Sequence, residues 1–160
     1  MDRPERRHGY TVCMRVFRVI VPVEDIEEAT RFYGTLLAAD GERVTSGRHY
    51  FDCDGVLLAC WDPRADGDRT FPGPNPGHVY LSTNEPLETV RQRAVDAGAV
   101  PDSTRGSITR QPWEELSFFV RDPWGNPFCI VESGTEYRGG SFKRFTSGTD
   151  ERADRGAAGS

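Results

Sequence analysis

The chain has 160 residues, 28% of them charged and 36% hydrophobic, and a net charge of −5. This length suits one domain, or two small halves sharing a core. No apolar run approaches the ~20 residues of a membrane-spanning helix, and an acidic chain with only scattered arginines argues against nucleic acid as a partner.

Residues 1–13 read as a loose leader. They are basic, but no apolar stretch follows, so no signal peptide is expected and the cytoplasm is the expected compartment. The four cysteines, Cys13, Cys53, Cys60 and Cys129, lack CxxC spacing, which fits reduced thiols in such a compartment.

Residues 14–61 form the first unit. Val16–Val23 is rich in β-branched residues and predicts a strand. Glu24-Asp25 suits a helix start, because carboxylates favour the N-terminal end of the helix dipole. Ile26, Ala29, Phe32, Tyr33, Leu36 and Leu37 then share one helical face. Glu42–Ser46, Arg48–Cys53 and Val56–Trp61 predict three short strands, the last two joined at Asp54-Gly55, a strong hairpin pair.

Residues 62–77 are a Pro/Gly linker, incompatible with a helix or a central strand. The pattern then restarts in residues 78–133. His78–Ser82 predicts a strand. Leu87, Val90, Ala94, Val95 and Ala97 predict a helix face opened by Pro86 and closed by Gly98. Ala99–Asp102, Glu115–Val120 and Phe128–Glu132 predict three strands, and the Arg-bearing segment Ser103–Gln111 reads as a mobile loop. Residues 134–160 are poor in apolar residues and read as a largely disordered tail. Strand–helix–three strands thus occurs twice.

The stretch 111–132 carries the most specific local signal. Leu116–Val120 and Pro127–Val131 flank Asp122-Pro123-Trp124-Gly125-Asn126, a turn stiffened by Pro and bent at Gly. With Pro112-Trp113 before it, and with the Val-x-Asp-Ile-x-x-Ala-x-x-Phe-Tyr-x-x-Leu-Leu run of residues 23–37, this hairpin resembles the vicinal-oxygen-chelate superfamily. That superfamily comprises glyoxalase I, bleomycin-resistance proteins and extradiol dioxygenases. The resemblance covers residues 14–132. It implies an α+β fold of two paired βαβββ modules forming a curved mixed sheet around a cleft.

The resemblance also implies where a metal would sit: on the first and last strand of each module. The matching positions here are Arg18, one of Leu58, Ala59 and Cys60, then His78, and Cys129 where the family has Glu. Arg repels a divalent cation, and thiols favour softer ions. No metal or other cofactor is therefore expected, with a Cys₂His zinc set as the alternative. Closest in character are the metal-free bleomycin-resistance-like members. The expected function is binding of a small aromatic or anionic molecule in the cleft, by a homodimer. Arg18, Trp61, His78, Trp113, Phe118 (or its neighbour Phe119) and Cys129 are the candidate ligand-binding residues. Arg18, facing inward, would read a carboxylate or pair with Glu115 or Glu132. The alternative is an enzyme of the same superfamily, a lyase, isomerase or dioxygenase, either metal-dependent or using an Arg/His/Glu acid–base site. No catalytic residue is identifiable from spacing alone.

Overall fold

The computed structural model describes residues 13–68 and 70–139. The expected leader up to residue 12, and the tail from residue 140, lie outside them.

Strand β1, Arg18–Pro22, leads into helix α1, Ile26–Leu37. Asp25 caps that helix by accepting from the Glu28 backbone N–H at 3.0 Å, and Glu27 and Glu28 place negative charge in its first turn. Strands β2 (Glu42–Thr45), β3 (Arg48–Cys53) and β4 (Val56–Trp61) follow. Asp54 and Gly55 both take positive φ (54° and 92°), as the two-residue turn between β3 and β4 requires. The second unit contains β5 (Val79–Thr83), α2 (Leu87–Ala97), β6 (Val100–Pro101), β7 (Thr109–Arg110), β8 (Leu116–Arg121) and β9 (Pro127–Glu132).

The fold is mixed α+β. A four-stranded sheet runs β1-β4-β3-β2 and a five-stranded one runs β5-β9-β8-β6, with β7 also on β8. In each sheet the first strand lies parallel to the last, pairing Val21 with Cys60 and Leu81 with Ile130. Every other pairing is antiparallel. The two sheets therefore repeat one topology, with β7 as an addition to the second.

Alternation along the strands separates two faces. One face meets the helices. There Val21, Phe51, Leu58 and Cys60 of the first unit join Val90, Phe118, Val120, Phe128 and Ile130 of the second in one buried cluster. Helices α1 and α2 also pack against each other. The units are tied by polar contacts as well: Asn126 Nδ2 donates to the Pro22 carbonyl at 2.7 Å, Asn75 Nδ2 to the Ile20 carbonyl at 2.9 Å, and Arg93 Nη2 to the Leu36 carbonyl at 2.9 Å. The modules thus pair within the chain.

Three segments outside the expected helices and strands are held in place. In the Pro/Gly stretch, Asp62 N–H donates to the Gly47 carbonyl at 2.7 Å, and the Asp66 carboxylate accepts from Gly47 N–H at 2.8 Å. Within 103–111, expected to be mobile, β7 pairs with β8 and Gly106 is buried. Phe119 N–H donates to the Arg105 carbonyl at 3.0 Å, and Arg91 Nε donates to the Gly106 carbonyl at 2.7 Å. At the start of the tail, Tyr137 N–H donates to Glu115 at 2.9 Å. Short polar side chains make these turns by bonding nearby backbone, a device that composition alone does not distinguish from disorder. Among the described residues no helix is long and apolar enough to cross a membrane.

Candidate functional site

The other face of each sheet turns away from the helices. On the first sheet alternation brings Arg18 and Ile20 of β1, Arg48 and Tyr50 of β3, and Ala59 and Trp61 of β4 to this open side. Arg18 is exposed and lies with its guanidinium 5.1 Å from the Tyr50 ring centroid, donating weakly to the Tyr50 hydroxyl at 3.4 Å. Arg48 donates to the same hydroxyl at 3.4 Å and lies 5.3 Å over the Trp61 ring. The acidic partners expected for Arg18 are not there: none of the ion pairs among the described residues includes it. Its partners are aromatic. The Trp61 Nε1–H is buried and has no hydrogen-bond partner.

On the second sheet Phe119 is central. The His78 ring meets it edge-on at 5.3 Å, Tyr80 at 6.3 Å, and the Arg105 guanidinium lies 4.1 Å over its face. The expected role of Phe118 needs correction. Phe118 pairs with Ile130 and points into the shared core, and Phe119 takes the open side. The reason is register: a strand shows successive residues to opposite faces, and β8 starts so that the odd-numbered residues face outward. Burial pushes the His78 imidazole below its ordinary value, and Arg105 and Arg121 add to this against an opposing effect of Asp102.

Cys129 lies beside Tyr80 and Phe119 in the register, fully buried with Phe119 and Val131. Burial, with the nearby Glu115 charge, pushes its thiol up to about 11 despite a hydrogen bond with Ser117. Glu115 is itself buried. Its carboxylate accepts from Trp113 Nε1 at 2.8 Å and from Tyr137 N–H at 2.9 Å.

Two adjoining grooves run along β5 and share Tyr80, Leu81, Ser82 and Arg138. One, of about 640 Å³, lies between the units, with Val19, Asp52 and Leu57 on its other wall. The second, of about 550 Å³, is walled by Trp113, Glu115, Val131 and Tyr137. A larger depression of about 780 Å³ on the outer side of α1 and α2 is lined by Thr35, Glu88, Gln92, Arg93 and neighbours, without an aromatic ring. It lies away from the residues that bear chemistry.

The metal positions implied by the resemblance are now fixed. Leu58 and Cys60 both point into the core, so the residue turned to the open side is Ala59. The four positions are Arg18, Ala59, His78 and Cys129. A guanidinium, a methyl group, one imidazole and a buried protonated thiol do not fit a divalent ion. Nor is a Cys₂His set assembled, since Cys60 and Cys129 lie on opposite faces of their sheets. Among the described residues no group of three His, Cys, Asp or Glu side chains is placed to hold a metal.

The Glyoxalase-like domain family model matches residues 18–131. The chain therefore belongs to this family. Solved structures share the fold. A glyoxalase-related enzyme from Fulvimarina pelagi is 19% identical with a TM-score of 0.63, covering 84% of this chain and 99% of its own. A glyoxalase/bleomycin resistance protein from Albidiferax ferrireducens T118 is 19% identical with a TM-score of 0.62, covering 72% and 97%. A lactoylglutathione lyase from Agrobacterium tumefaciens is 17% identical with a TM-score of 0.56, covering 76% and 96%. No curated protein matches the chain by sequence.

Of the candidates read from sequence, Arg18 and Trp61 stand on the first open face, and His78 and Cys129 on the second, with Trp113 on the groove beside it. Sequence reasoning missed Tyr80 as a groove wall, and the roles of Arg48 and Arg105. Tyr80 and Arg48 were findable from strict alternation along β5 and β3. Arg105 was not, because its position depends on how the 102–111 loop folds onto β8.

Proposed function

We propose that the protein binds a small aromatic organic molecule on the open faces of its two sheets, without a metal ion, with Arg18 serving an anionic substituent. The observation that carries this reading is the repeated stacking of arginine on aromatic rings: Arg18 on Tyr50, Arg48 on Trp61 and Arg105 on Phe119. These are flat, cation-topped surfaces suited to planar ligands. Concave walls with few polar groups are the usual form of small-molecule sites. The homodimer expected from the resemblance is part of the proposal, and sedimentation at ~10–50 µM tests it, since micromolar pairing is populated there.

The test is a thermal-shift and Trp-fluorescence screen of aromatic acids and natural-product antibiotics on metal-analysed protein. A cleft ligand should raise the melting temperature with the logarithm of its excess over Kd. Arg18→Ala should weaken anionic ligands more than neutral ones. One equivalent of bound Zn, Fe, Mn or Ni, lost in His78→Ala, sinks the metal-free reading. Conversion of the bound compound, stopped by loss of His78 or Glu115, replaces binding with catalysis.

A further inference from the structure

Of the four aromatic side chains exposed among the described residues, three surround one groove: Tyr80 (53% exposed), Trp113 (39%) and Tyr137 (49%), with Phe17 elsewhere. Exposed rings are costly to hydrate, and their convergence on one concavity needs a reason. The floor of this groove carries Glu115, only 7% exposed. Its two oxygens accept from the Trp113 indole and the Tyr137 backbone. Both donors are neutral, and none of the ion pairs among the described residues includes Glu115 or its groove neighbour Glu136. The lining thus holds two carboxylates against one guanidinium, Arg138. Burial first, and the neighbouring Cys129 and Glu115 after it, hold the Tyr80 phenol above its ordinary value.

A buried carboxylate gains from a cation that enters a desolvated site beside it. Aromatic faces are negative at their centres and attract the same ion, and an ammonium bearing methyl or methylene groups also buries apolar surface against them. An anionic ligand would meet the like charges of Glu115 and Glu136 in the same lining. We propose that this groove binds the ammonium group of a cationic organic molecule, with Glu115 as counter-ion and Tyr80, Trp113 and Tyr137 as walls. This rests on the reading of the open faces as a ligand site and adds the charge of what the second sheet accepts. Arg18, which serves the anionic substituent, stands on the first sheet, so the two subsites are separable by mutation.

The experiment is a ¹⁵N–¹H titration of the full chain, watching the Trp113 indole N–H, identified by its loss in Trp113→Phe. Benzyltrimethylammonium, benzyl alcohol and benzoate are the probes. The cation should shift this resonance saturably, binding about ten-fold more tightly than benzyl alcohol. Benzoate should be the weakest of the three at this resonance. Glu115→Gln should remove the advantage of the cation and leave benzyl alcohol unchanged. Should that variant not fold, the ionic-strength series on the unaltered chain decides: salt should weaken the cation and not the alcohol. Benzoate or benzyl alcohol binding here as tightly as the cation overturns the ammonium site and leaves aromatic binding standing. If none of the probes moves any resonance at millimolar concentration, both readings fall.

Discussion

Tyr33→Phe removes one oxygen and tests the joint between the two units. The Tyr33 hydroxyl donates to Asp122 Oδ2 at 2.5 Å, from α1 of the first unit to the β8–β9 turn of the second. Asp122 is 2% exposed and also accepts from Asn126 N–H, Asn126 Nδ2 and Trp124 N–H. The ring packs edge-on to Phe32 at 4.8 Å and tilted to Phe128 at 5.7 Å, and phenylalanine keeps those contacts. The loss is therefore one hydrogen bond to a charged group, about 1.5–3 kcal/mol. Burial holds the Asp122 carboxyl above its ordinary value even though its donors favour the charged form. A folded-state value above the unfolded one means a stability contribution present at low pH and lost as pH rises through the folded value. Tyr33 opposes that loss by stabilising the carboxylate. Removing it lifts Asp122 further, so the penalty must grow with pH. In urea, with a slope of ~1–3 kcal/mol/M, the midpoint should fall by about 1 M at pH 8. It should fall distinctly less at pH 4.5, followed by Trp fluorescence in both cases. A midpoint within ~0.3 M of the parent at pH 8, or an equal penalty at both pH values, refutes this account of the joint.

Further outcomes follow from single positions. A Cβ on Gly106 would stand 2.5 Å from the Asp102 carbonyl oxygen and 2.7 Å from the Pro101 Cβ, so Gly106→Ala should cost about 1–3 kcal/mol in thermal or urea unfolding. Cys13 is exposed, whereas Cys60 and Cys129 are buried with raised thiols. A thiol-reactive dye at pH 8 should label Cys13 rapidly and reach Cys60 and Cys129 only in denaturant. Arg105→Ala removes one of the two charges that lower His78, so the His78 imidazole should titrate at higher pH by NMR, still lowered by burial.

The architecture was legible because its signals are local and repeated. A β-branched run marked β1, Asp54-Gly55 set the β3–β4 turn, and apolar residues at helical spacing marked α1 and α2. Helix periodicity fixes which side is buried, so the α1 face was read correctly and the α2 face in Leu87, Val90, Ala94 and Ala97, with Val95 outside the core. Strand faces are harder. A one-residue error in register reverses every side chain, and Phe118-Phe119 offers two equal rings to choose between. The choice is made by pairing with β9, where Phe118 lies opposite Ile130 and Phe119 opposite Cys129. The same ambiguity covered Leu58, Ala59 and Cys60. Polar loops were the other gap. The run 102–111 looks soluble and featureless, yet Asp102 accepts from Thr104 N–H at 3.0 Å and from Arg105 N–H at 2.9 Å, and this turn carries Arg105 onto Phe119.

The duplicated topology has a consequence for the site. A repeat of this kind presents two equivalent open faces, and one metal ion could be shared between them only if both supplied donors. Arg18 and Ala59 remove the first face from that arrangement entirely. The second keeps His78, whose imidazole is held toward the neutral form by burial first, and on the same face a thiol that burial holds protonated. Each face instead has an arginine laid on a ring: Arg48 on Trp61 of β4, and Arg105 on Phe119 of β8. The arginines come from different places, a strand in one unit and a loop in the other, so the similarity is one of chemistry and not of inherited position. Two unrelated routes to the same cation-topped aromatic surface are hard to explain by core packing, because both lie on the sides turned away from the helices. Tyr80, edge-on to Phe119, joins the second of these surfaces to the grooves along β5.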